Sequence, residues 1–200
     1  MKLIFMRHGF LEGKFGDYTK LKFKDFEDLL LRNIEPAINK ERTKIKLQKK
    51  LDERRLEFDA MITSAQNRGI ETGRIVSELT KIELSKKTEL LNETSFETGV
   101  IEPSDTKNYG GLRRKVLTQM FNSNHTENFE GMKKRFMNFL EETKNVSDYK
   151  DKTILCITHG WFMRIIELYK EKENLEITLS ELLEVKPTDF LDTIEINMVA

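Results

Sequence analysis

Short apolar runs alternate along this chain with stretches in which apolar residues recur at helical spacing. Polar residues or glycine bound each run, and four runs predict β-strands, the last one more weakly: 2–6, 59–63, 153–158 and 193–197. Helical periodicity predicts helices over 129–140, over 67–79 and after Gly160. The charged stretch 25–56 also has a helical pattern, and Pro36 should divide it into two helices because proline interrupts helical hydrogen bonding.

Strands separated by helices are typical of an α/β fold with a largely parallel sheet. The sequence has no internal repeat and no low-complexity linker, so we predict a single domain over residues 1–200. The segment 101–128 has no clear period and contains Pro103, Gly110 and Gly111. We interpret it as an irregular insertion that carries some helix.

The charges of the chain balance, with 34 Lys and Arg residues against 34 Asp and Glu residues. This balance does not favour nucleic acid or an anionic membrane as a partner, so any basic site must be local. Cys156 is the single cysteine and lies in an apolar run, which predicts a buried strand residue rather than a reactive thiol. The sequence shows no signal-peptide pattern and no membrane-length apolar run, so we expect a cytoplasmic protein.

Two predicted strands end in the same kind of motif. The apolar run 3–6 leads directly into Arg7, His8 and Gly9, and the run 154–157 leads through a threonine into His159 and a glycine. The carboxyl ends of parallel strands face the crevice in which α/β proteins bind ligands. A histidine held there beside a fixed positive charge suits nucleophilic attack on an anion. If the two strands are adjacent and parallel, both imidazoles lie in one crevice.

Two further segments carry candidate chemistry. Ser64 and Arg68 lie where the strand 59–63 passes into the helix 67–79, so Arg68 falls in the first helical turn, whose amides favour anions. Its planar guanidinium matches phosphate or carboxylate oxygens. Glu93 follows a short apolar run and is a candidate acid, with three other glutamates as close rivals: Glu89, Glu97 and Glu102.

The sequence does not indicate a metal centre. Its three histidines and one cysteine lack the spacing of metal ligands, so we expect neither a metal nor another cofactor. His125 lies in the polar segment 101–128 and is expected at the surface.

Taken together, these motifs resemble the histidine phosphatase superfamily, the phosphoglycerate mutase-like family. The resemblance begins at Arg7, His8 and Gly9 and continues at 36–42, which is similar to a stretch that opens a helix in this family. It then runs through 64–68 and 91–93 and ends at 159–160. The order of these motifs along the chain is far more specific than any one of them.

The resemblance implies a three-layer α/β/α sandwich with a mostly parallel central sheet, as in phosphoglycerate mutase-like proteins. It also implies a metal-independent phosphatase of the histidine acid phosphatase type, which hydrolyses a phosphate monoester of a small metabolite. In that mechanism His8 is the nucleophile that forms a phosphohistidine, and Glu93 is the general acid. Arg7, Arg68 and His159 bind the phosphate oxygens.

Several positions depart from the family pattern and leave alternatives open. Lys14 stands where many members have a phosphate-binding asparagine, so it is a candidate substrate-binding residue. The insertion at about 10–35 is longer than expected, and the loop after Glu93 is divergent. The expected partner is a small phosphorylated substrate, without nucleic acid or a membrane, and a homodimer stays open. A phosphoglycerate mutase-type isomerase and a non-catalytic member that binds phospho-ligands or a partner are the alternatives.

Overall fold

A computed structural model describes residues 1–17, 21–94, 96, 109–122, 127–172 and 174–198 of the chain. Its centre is a five-stranded sheet in the order β3-β2-β4-β1-β5. The strands are β1 (Lys2–Arg7), β2 (Ala60–Ser64), β3 (Leu84–Thr88), β4 (Thr153–Thr158) and β5 (Thr193–Asn197). The first four are mutually parallel, and the edge strand β5 pairs antiparallel with β1.

Helices connect the strands. They are α1 (Phe23–Leu30), α2 (Lys40–Asp52), α3 (Asn67–Thr80), α4 (Tyr109–Asn122), α5 (Phe129–Lys144), α6 (Phe162–Lys172) and α7 (Leu179–Glu184). Within the described residues, short 3₁₀ turns lie at Gly13–Gly16, Glu89–Leu91 and Ser147–Tyr149.

The alternation of side chains along β1 shows why helices cover both faces of the sheet. Ile4 and Met6 are buried on one face, in a cluster with residues of α2 and α3. Leu3 and Phe5 are buried on the other face, where the Phe5 ring lies 5.8 Å from the ring of Phe136 on α5. Burying both faces of a sheet requires a helical layer on each. The predicted three-layer α/β/α architecture is therefore confirmed.

The predicted elements agree with the structure within a few residues where the periodicity is strong. The four predicted strands correspond to β1, β2, β4 and β5, and the charged stretch around Pro36 is divided into α1 and α2. The sequence did not predict β3, because its exposed lysines at 86 and 87 interrupt the apolar run that indicates a strand. It also missed the six-residue helix α7. The segment 101–128 contains the fourteen-residue helix α4.

The sheet brings the carboxyl ends of its parallel strands to one edge. The register pairs Arg7 of β1 with Thr158 of β4, so the next residues, His8 and His159, lie side by side. Cys156 lies within β4 and is fully buried, as predicted. Burial raises the pKa of its thiol, which keeps it protonated and unreactive.

Candidate active site

His8 follows the last residue of β1 and is almost fully buried. Its Nδ1–H donates a hydrogen bond of 2.9 Å to the carbonyl oxygen of Gly9, since a carbonyl can only accept. This bond leaves the proton on Nδ1 and the lone pair on Nε2. The loop is held in place because the Gly9 N–H donates to Thr72 Oγ1 at 2.9 Å. A β-carbon at Gly9 would come within 2.5 Å of the Thr43 side chain.

Arg7, at the end of β1, is held from two sides. Its Nη1 donates to the carbonyl oxygen of Thr188 at 2.6 Å, and its guanidinium lies 4.0 Å from the centre of the Phe190 ring. A third neighbour is Gly160, where a β-carbon would come within 3.1 Å of the guanidinium. The glycine after the second histidine therefore makes room for the arginine before the first.

Arg68 lies in the first turn of α3 and is buried. Thr72, one turn later, donates its hydroxyl to the Arg68 carbonyl at 2.7 Å and accepts the Gly9 N–H, which ties α3 to the loop of His8. Among the described residues, Arg68 Nε has no hydrogen-bond partner. A buried guanidinium N–H without a partner is available to an anionic ligand.

His159 follows β4 and lies against His8, with 5.0 Å between the ring centres. Its Nε2 forms a hydrogen bond of 2.8 Å with the hydroxyl of Ser64, at the end of β2. Ser64 is closely packed, because a β-carbon at Gly69 would lie 2.2 Å from its Oγ. The glycine therefore lets α3 approach the strand end that orients His159.

Both histidines are neutral in this environment. Burial lowers the pKa of His8 well below its usual value, and the charges of Arg68 and Arg7 lower it further. The pKa of His159 is lowered in the same direction, first by burial and then by Arg68. The neutral form is the nucleophilic form of imidazole, so the site keeps the lone pair of His8 available below neutral pH.

Glu93 lies just after the 3₁₀ turn that follows β3. Three backbone N–H groups donate hydrogen bonds to its carboxylate. Oε2 accepts from Trp161 at 3.0 Å, whereas Oε1 accepts from Phe162 and Thr94 at 3.1 Å each. Two of these donors lie at the start of α6, where backbone N–H groups lack helical acceptors. The side chain is therefore fixed at the helix that follows His159.

These groups surround a cavity of about 300 Å³. Its wall includes Arg7, His8, Arg68 and Glu93, so four predicted site residues are brought together. His159 lies beside His8 rather than on this wall. Lys14 is not part of the wall either, because its ammonium is paired with Asp25 at the surface. The geometry thus places Lys14 away from the other predicted residues.

The cavity also contains residues that sequence reasoning missed. Arg32 and Thr94 supply polar groups, and an apolar surface comes from α1 and from two residues far from it in the sequence: Phe26, Leu29, Leu30, Phe96 and Phe190. Arg32 lies in a stretch of alternating charges, where nothing local distinguishes a buried guanidinium from a solvated one. Phe190 approaches Arg7 only because β5 returns along β1.

The remaining candidates from the sequence lie elsewhere. Glu89 belongs to the 3₁₀ turn before Glu93 and does not line the cavity. Glu97, Glu102 and His125 lie outside the described residues. In the part of the chain that the structure describes, no group of three or more His, Cys, Asp or Glu side chains could hold a metal ion.

Comparison with known proteins adds to this geometry. The family model of the histidine phosphatase superfamily (branch 1) matches residues 3–187. The chain belongs to this superfamily. The predicted membership of the histidine phosphatase superfamily is thus confirmed. A search of curated protein sequences finds no match. Within the described residues, no helix combines the length and apolar character that crossing a membrane requires.

Solved structures share the fold of this histidine phosphatase. A mycobacterial glucosyl-3-phosphoglycerate phosphatase superposes with a TM-score of 0.67 and 14% identity, over 98% of this chain and 89% of that chain. A mutant of phosphoserine phosphatase from Entamoeba histolytica, in complex with phosphoserine, has a TM-score of 0.63 and 18% identity, over 97% and 89%. YhfR of Bacillus stearothermophilus has a TM-score of 0.64 and 17% identity, over 99% and 91%. At these identities the likeness shows the fold alone.

Proposed function

We propose that this histidine phosphatase is a phosphomonoesterase that works through a phosphohistidine on His8. The observation that carries the proposal is the placement of His8: its ring lies at the cavity wall with Arg7 and Arg68, and its Nδ1 is hydrogen-bonded to the Gly9 carbonyl, which leaves Nε2 for a ligand. A pure binding site for phosphate needs the guanidinium groups but does not need a nucleophilic nitrogen between them.

In the first chemical step, the lone pair of His8 Nε2 attacks the phosphorus atom. The bond between phosphorus and nitrogen forms while the bond between phosphorus and the ester oxygen breaks. Protonated Glu93 gives its proton to the departing oxygen, which leaves as an alcohol. Arg7 and Arg68 bind the phosphoryl oxygens and stabilise their negative charge, so the positions of these guanidinium groups supply the main electrostatic contribution.

In the second step, water replaces the alcohol on the same side of the phosphoryl group. The Glu93 carboxylate accepts a proton from the water as its oxygen bonds to phosphorus, and the bond from phosphorus to nitrogen breaks. The electron pair returns to His8 Nε2, inorganic phosphate leaves, and Glu93 is protonated again. His159 supports this cycle from behind His8, where its hydrogen bond to Ser64 fixes the ring.

The size of the cavity supports a small substrate. About 300 Å³ accommodates a phosphoryl group with a leaving group of a few to about a dozen heavy atoms. Two structural neighbours are named as phosphatases of phosphate esters of this general kind, glucosyl-3-phosphoglycerate and phosphoserine. We therefore place the substrate among phosphate monoesters of small metabolites.

The first experiment follows hydrolysis of p-nitrophenyl phosphate by the purified protein in the presence of EDTA. We expect turnover, and brief incubation with a labelled substrate should trap acid-labile, base-stable phosphate on His8. His8→Ala should abolish both signals. Turnover that persists in His8→Ala would contradict the mechanism, and interconversion of 3- and 2-phosphoglycerate in the presence of 2,3-bisphosphoglycerate would favour the mutase reaction.

A second experiment assigns the acid. Glu93→Gln keeps the shape of the side chain but cannot supply a proton, so it should slow esters with poor leaving groups more than those with good ones. We expect a loss on the order of 10²- to 10⁴-fold for an alkyl phosphate and a much smaller loss for p-nitrophenyl phosphate. Glu89→Gln is the matched control. An equal effect of Glu93→Gln on both substrates would assign the acid to another residue.

A further inference from the structure

The cavity contains polar groups that the proposed reaction does not use. Arg32 follows α1 and has φ of +59°, a left-handed backbone conformation that non-glycine residues rarely adopt. Its Nε and Nη2 are buried and have no hydrogen-bond partner among the described residues. Thr94 has 1% of its surface exposed, and its hydroxyl is also buried without a hydrogen-bond partner among the described residues. Both residues line the cavity.

A guanidinium in this position is costly when the cavity is empty. Burial lowers the pKa of Arg32, as do the positive charges of Arg68 and Arg135, although the charge of Glu93 opposes them. Buried N–H groups without partners lose their hydration without regaining a hydrogen bond. An anionic ligand would supply both the missing acceptors and the opposite charge.

The location of Arg32 indicates which part of the substrate that anion belongs to. Arg32 and Thr94 share the cavity wall with Glu93, and Thr94 donates its backbone N–H to the Glu93 carboxylate at 3.1 Å. In an in-line displacement the leaving group departs opposite the nucleophile, and Glu93 meets the departing oxygen. A leaving group that meets Glu93 therefore lies beside the side chains of Arg32 and Thr94.

We propose that Arg32 is a specificity-determining residue that binds an anionic group carried by the leaving group of the substrate. The proposal rests on the proposed phosphatase function and narrows its substrate class to monoesters with a second acidic group, either a carboxylate or a second phosphate. The planar guanidinium fork suits both groups, and the Thr94 hydroxyl adds a donor beside it. Apolar residues of α1 line the same cavity.

The test compares substrates that differ only in the second acid. 3-Phosphoglycerate and 2-hydroxyethyl phosphate differ by one carboxylate, and the bisphosphate and monophosphate of 1,3-propanediol differ by one phosphate. We expect kcat/KM of the wild-type protein to be higher for the anionic member of at least one pair, on the order of 10- to 100-fold. The pair that shows the preference identifies the acidic group.

Variants then assign the preference to Arg32. For the substrate that carries the second acidic group, Arg32→Gln should reduce kcat/KM by roughly 10- to 100-fold. For the substrate that lacks this group, kcat/KM should change by less than about threefold. Arg32→Lys keeps the charge and should retain part of the preference. Arg54→Gln is a matched control, because Arg54 also follows a helix with positive φ, at 52°, but is exposed and outside the cavity wall. It should leave both rates unchanged.

The two proposals fail in different ways. If the wild-type protein hydrolyses the neutral esters through His8 but shows no preference in either pair, the role of Arg32 is overturned and the phosphatase function stands. The same holds if Arg32→Gln leaves the preference intact, or if it lowers both members equally. If no ester is hydrolysed, the phosphatase function fails, and titration calorimetry with the same pairs decides the binding role of Arg32: equal Kd values overturn it.

Discussion

The molecule contains two strand–histidine–glycine units, at residues 7–9 after β1 and 158–160 after β4, which look alike in sequence and differ in their surroundings. His8 hydrogen-bonds through Nδ1 to the glycine that follows it, so its Nε2 is left for the cavity. His159 uses Nε2 for a hydrogen bond to Ser64, and among the described residues its Nδ1 has no partner. These contacts fit our proposal that the first unit supplies the nucleophile and the second supports it.

The two glycines differ in the same way. Gly9 faces Thr43 of α2, so its lack of a side chain lets the chain pack against the helical layer. Gly160 faces the guanidinium of Arg7, so its lack of a side chain makes room for a cationic group that lines the cavity. The two motifs therefore differ because side chains from different neighbouring elements pack against them.

Replacing each histidine by alanine is expected to give the largest difference between the two units. His8→Ala removes the atom that bonds to phosphorus, and we expect a loss of kcat of at least about 10⁴-fold and no phosphoenzyme. His159→Ala should reduce kcat on the order of 10²-fold, because it removes an orienting group. Phosphate should still be trapped on His8, which mass spectrometry of rapidly quenched samples can detect. Labelling at His159 in the His8→Ala variant would overturn the assignment.

The glycine variants separate packing from phosphate binding. In Gly9→Ala the Thr43 side chain must move, which should lower the free energy of unfolding by about 1–3 kcal/mol in urea titrations. In Gly160→Ala the β-carbon would lie 3.1 Å from the Arg7 guanidinium, a smaller overlap than the 2.5 Å at Gly9, so we expect a loss of stability below about 1 kcal/mol together with a raised KM. The reverse pattern, with Gly160→Ala the less stable protein, would contradict this reading of the two contacts.

The main features of both units were predictable because they depend on short-range pattern. An apolar strand that ends in a histidine and a glycine is visible in the sequence, and so is an arginine in a first helical turn. The missed residues are of another kind. Arg32 lies among alternating charges, and its burial depends on how α1 packs over the cavity. Lys14 was a candidate by its position in a motif, but its ammonium pairs with Asp25.

A pH dependence of stability should be common to both units, whatever their roles in the reaction. The folded state holds both histidines neutral, because burial lowers their pKa, whereas an unfolded chain protonates histidine below about pH 6.5. The unfolded state then binds more protons, so stability should fall as the pH decreases below about 6.5. Replacing either histidine by asparagine should flatten this decrease by up to about 1.4 kcal/mol per pH unit.

Urea titrations between pH 7.5 and 5.5 measure that slope for the wild-type protein and both variants. If only one variant changes the slope, the other histidine is already protonated in the folded protein, and the two units differ in charge as well as in role.

The smallest effect concerns the interior of the second unit. Cys156 is fully buried within β4, three residues before His159, and burial raises the pKa of its thiol. We expect a colorimetric thiol reagent to leave the native protein unmodified at pH 8 and to react with one thiol in urea. Rapid reaction of the native protein would show that β4 opens to solvent and is a less rigid support for His159 than β1 is for His8.

The sequence by itself determined the alternation of strands and helices and the family, and it predicted His8 as the nucleophile beside Arg7, because these depend on residues close together in the chain. Only the tertiary structure decided which residues contact each of the two histidine motifs. Ser64 reaches His159, and Gly160 makes room for Arg7, because parallel strands far apart in sequence end at one edge of the sheet. The tertiary structure also brings Arg32 to the cavity wall, where burial lowers the pKa of its guanidinium.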